Sequence, residues 1–252
     1  MLKIRTAQMR AMERAVAAEF AEQIATHLFE FAPQHCRALG RARVVSIARD
    51  GIARARACGF ERRGEVQLFV DLVFLFGSAF DSDPQYHWLH RFLDDSQSDA
   101  AARADALHAA AMDYIEKVAG LDRAAYREAM ARAQQLDFDR LAPDMDAQAM
   151  GMRYFRHVSP AKLGYVGEPA LSALIAHAAA SAQKLGASSG ASTFRLAALM
   201  FVLGHGVLED AQYPWVADLL ADGEGMSADE RIARIPSRAF AYLRAAMRGA
   251  EG

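Results

Sequence analysis

Cysteine is nearly missing from this chain. Its 252 residues hold only Cys36 and Cys58, with no C-x-x-C spacing. That excludes a cysteine-based zinc site and a disulfide scaffold, and points to a reducing cytoplasm. Proline is sparse, with seven in all, so long stretches are free to run as helix. A charge excess is lacking too: the net charge of −2 gives no global field to recruit nucleic acid or an anionic membrane. The longest apolar run, "LFVDLVFLFGSAF", contains Asp71 and is too short to span a bilayer. The first twenty residues carry charges throughout, which is not the pattern of a signal peptide.

What is abundant is alanine, leucine, arginine, glutamate and methionine, a composition that favours helices. Met9, Met12, Val16, Phe20, Ile24, Leu28 and Phe31 recur every three or four residues and predict one apolar stripe on a long helix. "RVVSIARDGIARARACG" predicts a second helix, with Val44, Ile47, Ala48 and Ile52 inward and Gly59 as its C-terminal cap. "GEVQLFVDLVFLFG" is apolar nearly all round. It reads as a buried helix, the alternative being a buried strand. "DPQYHWLHRFLDD" and "SDAAARADALHAAAMDYIEKVAG" predict two more helices. "LDRAAYREAMARAQQ" predicts a helical connector, and Pro143 should break or start a helix.

The chain also repeats itself. A shift of 127 residues lays "FLFGSAFDSDPQYHWLHRFLDD" on "FVLGHGVLEDAQYPWVADLLAD". In that register Pro33 meets Pro160, Gly40 meets Gly167, Gly59 meets Gly186 and Gly77 meets Gly204. Asp83 meets Asp210, Gln85 meets Gln212, Tyr86 meets Tyr213, Trp88 meets Trp215 and Asp95 meets Asp222. Rare residues and glycines agreeing in one register mark an internal duplication. The expected fold is therefore all-α, with two tandem copies of a five-helix unit in a pseudo-twofold or side-by-side arrangement. Residues 1–120 form the first unit, 121–135 a helical connector and 136–252 the second.

The repeat also weighs the candidate chemistry. Asp81, Asp83 and His87 could offer hard oxygen and imidazole ligands to a divalent cation. The second copy has Leu208, Asp210 and Pro214 there, so only the aspartate 83/210 persists. An aspartate before Pro84 fits a helix cap better. Trp88 and Trp215 read as core anchors rather than partner contacts, with Gly77 and Gly204 as structural glycines. Tyr86 and Tyr213 could pack their rings while the hydroxyls reach the surface. His205, between two glycines, could act as a general base, but Ser78 occupies its place in the first copy. The arginines of residues 41–63 are not repeated, which favours a solvated face over a nucleic-acid reader.

The stretch from Ile47 to Asp95 resembles a family of small bacterial helical proteins often encoded near type VI secretion genes. Its shared pattern, G-I-x-R-A-x-x-Y-G, then L-G-x-x-F-D-x-D-P and a Pro-Trp pair, is met by Gly51, Ile52, Arg54, Ala55, Gly59, Gly77, Phe80, Asp81, Asp83, Pro84 and Trp88. Cys58 replaces the tyrosine and His87 the proline. The second half keeps Gly186, Gly204, Asp210, Pro214 and Trp215, and departs at Leu208 and Ala211. The resemblance implies a partner of a secreted effector, either its immunity protein or a loading accessory. A small hydrolase or metal enzyme using His205 is the third reading. The expectation is a cytoplasmic, non-enzymatic protein with no cofactor, no metal and no catalytic residue, and with neither membrane nor nucleic acid as partner. Asp81, Asp83, Tyr86, His87, His205, Asp210 and Tyr213 are its candidate partner-binding residues.

Overall fold

The computed structural model describes residues 6–94, 99–120, 122–222 and 225–248, with side chains from residue 15 to 244 among them. The place of Asp95 and the side chains of Met9 and Met12 lie outside these. All described regular structure is helical: α1 (Thr6–Phe31), α2 (Pro33–Leu39), α3 (Arg41–Ala57), α4 (Arg63–Phe76), α5 (His87–Leu93), α6 (Ala100–Ala119) and α7 (Ala124–Ala133), then α8 (Ala147–Val158), α9 (Pro160–Val166), α10 (Glu168–Lys184), α11 (Gly190–Leu203), α12 (Pro214–Ala221), α13 (Ala228–Ala233) and α14 (Ile235–Arg248). Two 3-10 turns, Pro84–Tyr86 and Phe138–Arg140, complete it. "GEVQLFVDLVFLFG" is thus a helix and not a strand. No described helix is long and apolar enough to cross a membrane.

The interval of 127 reappears in the helix bounds. It relates α2 to α9, α3 to α10 and α4 to α11 residue for residue. Helices α2 and α9 open on the matched prolines at the first helical turn, where a missing N–H costs nothing. Helix α3 packs against α1 and α4, and α10 packs against α8 and α11. Both α3 and α10 end in the same hydrogen-bonded cap: Phe60 N donates to Ala55 O at 3.0 Å, and Ala187 N donates to Ala182 O at 2.9 Å. The connector is helical as α7, and Pro143 falls in the irregular segment before α8.

Two expectations need correction. The segment up to residue 120 holds α1–α6 rather than five helices, because α2 stands between the N-terminal helix and α3. The stripe on α1 is also narrower than its spacing suggests. Ile24 and Leu28 are buried, but Val16 is 67% exposed and Phe31 41%. Ala21 and Ala25 are fully buried beside Ile24 and Leu28, on the helix that packs against α3. One continuous core joins Leu28, Phe69 and Phe80 to Phe155, Phe194 and Val216, so the two halves of the sequence share a single interior.

Candidate functional site

Helices α4 and α11 end on Gly77 and Gly204, and there the two repeated stretches meet. Each glycine has φ near +95° and ψ near +155°, a combination open essentially to glycine alone. A Cβ on Gly77 would stand 2.9 Å from the Leu203 carbonyl oxygen, and one on Gly204 2.8 Å from that of Phe76. Close backbone approach is what fixes glycine at both positions.

The turns that follow exchange hydrogen bonds across this seam. Asp83 caps its 3-10 turn by accepting from Gln85 N at 2.8 Å, as expected of a capping aspartate. Its other oxygen reaches across and accepts from His205 N at 2.7 Å. Asp210 does the same in reverse: it accepts from Gln212 N at 2.8 Å and, across the seam, from Ser78 N at 2.8 Å and Ser78 Oγ at 2.5 Å. The amides also cross. Gln85 Nε2 donates to Met200 O at 3.0 Å, and Gln212 Nε2 donates to Val73 O at 2.9 Å. Every partner of one set lies 127 residues from its counterpart in the other. Asp83, Gln85, Asp210 and Gln212 are all buried. Burial pushes the Asp83 carboxyl up, but the bonds from His205 and Gln85 outweigh it and hold it below the ordinary carboxylate value.

Two basic side chains flank the seam at matched positions that the sequence reading passed over. Lys162 of α9 is buried, donates to Phe201 O at 2.6 Å and sits over the rings of Tyr86 and Phe201. Burial, opposed by nearby Asp83, brings its ammonium down to about 8. His35 of α2 lies among Phe74, Tyr213 and Tyr242, the first two being the matches of Phe201 and Tyr86. Its ring nitrogens meet Tyr242 Oη and, at 3.2 Å, Gln212 Oε1. Burial lowers its affinity for a proton, against the pull of Gln212 and Asp210. The signal for this pair was the register itself, hidden because lysine and histidine differ in type.

At the surface end of the seam, His205 Nδ1 lies 3.3 Å from Asp83 Oδ2, within ion-pair range but without hydrogen-bond geometry. Its Nε2 is 3.5 Å from Ser82 Oγ, and its ring packs edge-on against His177 at 4.9 Å. A serine, a histidine and a buried carboxylate therefore stand in line, though Ser82 Oγ also donates to Ala79 O at 3.2 Å.

The remaining candidates are dispersed. Asp81 pairs with Arg54, and His87 is exposed with Nδ1 3.1 Å from Pro84 O, so neither joins Asp83. Among the described residues no group of three or more His, Cys, Asp or Glu is placed to hold a metal ion. Tyr86 is buried beside Phe76, Trp88 and Tyr114, while Tyr213 is half-buried. Burial raises both phenols well above their usual value, and no free hydroxyl of Tyr86 reaches the surface. Trp88 and Trp215 are core-flanking rather than central, half-buried against Tyr114 and Tyr242. Of the seven residues considered for partner contact, Asp83, Tyr86 and Asp210 are buried in the chain's own packing.

The chain is an all-α protein. Comparison with protein-family models, curated proteins and solved structures gives no match.

Proposed function

We propose that this chain is a non-enzymatic cytoplasmic binding protein that neutralises a secreted, type VI-type antibacterial effector as its immunity partner. It is built from two tandem copies of one helical unit about a pseudo-twofold axis. The observation that carries the reading is the reciprocal seam. Asp83, Gln85, Asp210 and Gln212, the polar residues most like a site, are spent on joining one half to the other. A contact in which each side gives what it receives is the signature of a twofold relation. It makes a rigid scaffold whose outer helices are left to meet a partner. The resemblance of residues 47–95 to proteins encoded beside secretion genes supplies the kind of partner.

Co-expression with the toxin encoded beside this gene tests the proposal. Rescue of growth, with a stoichiometric complex on gel filtration, is the expected result. Unchanged toxicity, with secretion of the toxin lost on deletion, would make the chain a loading accessory instead.

The line Ser82–His205–Asp83 favours a second reading, a hydrolase with Ser82 as nucleophile, His205 as base and Asp83 as its orienter. A fluorophosphonate probe decides it. Labelling of Ser82 that disappears in His205→Ala would support the hydrolase, and an unlabelled wild-type protein removes it.

A further inference from the structure

The matched tryptophans have unlike surroundings. Trp88 lies between two tyrosine rings: Tyr114 stacks on it at 5.2 Å and Tyr165 meets it edge-on at 5.5 Å. The Tyr165 hydroxyl is held by Asp113 Oδ2 at 2.9 Å. The residue that matches Tyr165 in the first half is Ala38, which has no ring to offer Trp215. Trp215 keeps Tyr242 at 6.0 Å and forms a wall of an open groove of about 720 Å³ between α12 and the α13–α14 corner.

That groove is also chemically unlike its counterpart. Setting Tyr242 on Tyr114 places Arg234, Ser237 and Arg238 where α6 has Ala106, Ala109 and Ala110. All three line the groove together with Trp215 and Leu219. Arg238 is exposed and its side chain makes no hydrogen bond or ion pair among the described residues. Arg234, by contrast, is engaged by the loop before α13: its Nη1 donates to Asp222 O at 3.3 Å and reaches Met226 Sδ at 3.8 Å, and its Nη2 lies 3.6 Å from the Asp222 carboxylate. A guanidinium without a partner among the described residues, on the same lining as an indole, suits a carboxylate next to an aromatic ring, the first by forked hydrogen bonds and the second by packing. Tryptophan and arginine are also the residue types that dominate binding energy at interfaces. Asp139 and Asp218 on the same lining repel a run of acids, so the groove favours one carboxylate and not an acidic stretch.

We infer that the Trp215 groove docks a segment of a partner protein carrying an aromatic side chain and, within a few residues, a single carboxylate. This rests on the protein-binding reading above and names the surface that does the binding. The test is selection of a displayed random twelve-residue peptide library on the full-length chain. Enriched peptides are expected to pair Phe, Tyr or Trp with one Asp or Glu. Their synthetic versions are expected to bind Arg238→Glu and Ser237→Trp at least tenfold more weakly, with thermal melting of both variants unchanged. No enrichment, enrichment of basic peptides, or equal binding to Arg238→Glu overturns the inference. Failure of the chain to rescue cells from the neighbouring toxin overturns the immunity reading instead and leaves the peptide result standing. Rescue that persists undiminished in Arg238→Glu, with no peptide enriched, overturns the groove alone.

Discussion

Gly77 and Gly204 stand back to back, each occupying the space in which the other's chain leaves no room for a side chain. Gly77→Ala and Gly204→Ala should each lose on the order of 1–3 kcal/mol from backbone strain alone, with the carbonyl contact adding to it. Gly164→Ala is the contrast. That glycine is exposed inside α9 with nothing within 4 Å of a built Cβ, so alanine should gain about 0.5–1 kcal/mol. Urea midpoints at constant slope measure all three. A neutral Gly204→Ala would mean that the seam is looser than described.

The reciprocity of the seam predicts which substitution is harmless. Ser78 meets Asp210 as His205 meets Asp83, so His205→Ser keeps the N–H bond and can supply a hydroxyl to the same carboxylate. Its stability should move by less than about 1 kcal/mol. Asp83→Ala and Asp210→Ala should each lose about 3 kcal/mol, because buried N–H groups are left without an acceptor. Losses that differ widely between the two aspartates would count against the shared role.

Lys162 makes the chain sensitive to alkali in an unusual direction. Its ammonium is brought down to about 8 in the folded chain, whereas a free lysine titrates near 10.4. Between those values the unfolded chain binds the extra proton, so stability rises with pH. From pH 7.5 to 9.5 Lys162 by itself contributes a gain of about 2 kcal/mol, offset in part by Cys36 and Cys58, whose raised thiols lose stability as the unfolded chain ionises. Above about 10 the trend reverses, because the phenols of Tyr86 and Tyr213, raised well above their usual value, resist the ionisation that the unfolded chain undergoes. Chemical denaturation at several pH values gives the profile. Lys162→Met should flatten its rising limb, and an unchanged limb would remove Lys162 as its cause.

Both thiols should be sluggish. Cys36 is buried, donates to Leu28 O at 3.2 Å and is pushed up by burial to about 11. Cys58 is half-buried and is also raised, first by burial. Since reactivity follows the thiolate and its access, a disulfide reagent at neutral pH should modify Cys58 first. Cys36 should react only after unfolding. Prompt modification of Cys36 would show that the contact between α1 and α2 opens in the native chain.

Much of this was legible in the sequence, and the gaps have physical causes. Comparison of the chain with itself put Gly77 on Gly204, Asp83 on Asp210 and Gln85 on Gln212, and the capping role of Asp83 followed from its place before Pro84 and from the loss of the other ligand types in the second copy. Capping is local, so spacing reveals it. That the same carboxylate reaches His205 across the seam is a tertiary fact with no local trace. Lys162 and His35 escaped notice because a repeat shows itself through identity, and these two share a place but not a chemistry. Helix α2 was missed because seven residues are too few to show a period. Val16 and Phe31 were over-read because periodic spacing says which residues share a face, not how much of that face a neighbour covers.

The reciprocal seam has a consequence for molecules that meet in concentrated solution. The turn around Asp83 fits the turn around Asp210, and nothing in that fit requires both to belong to the same chain. What favours the closed form is the tether through α7, which raises the local concentration of one turn at the other. Severing the chain within Ala124–Ala133 should therefore leave two pieces that associate at high concentration and part on dilution. Gel filtration across a dilution series would show it.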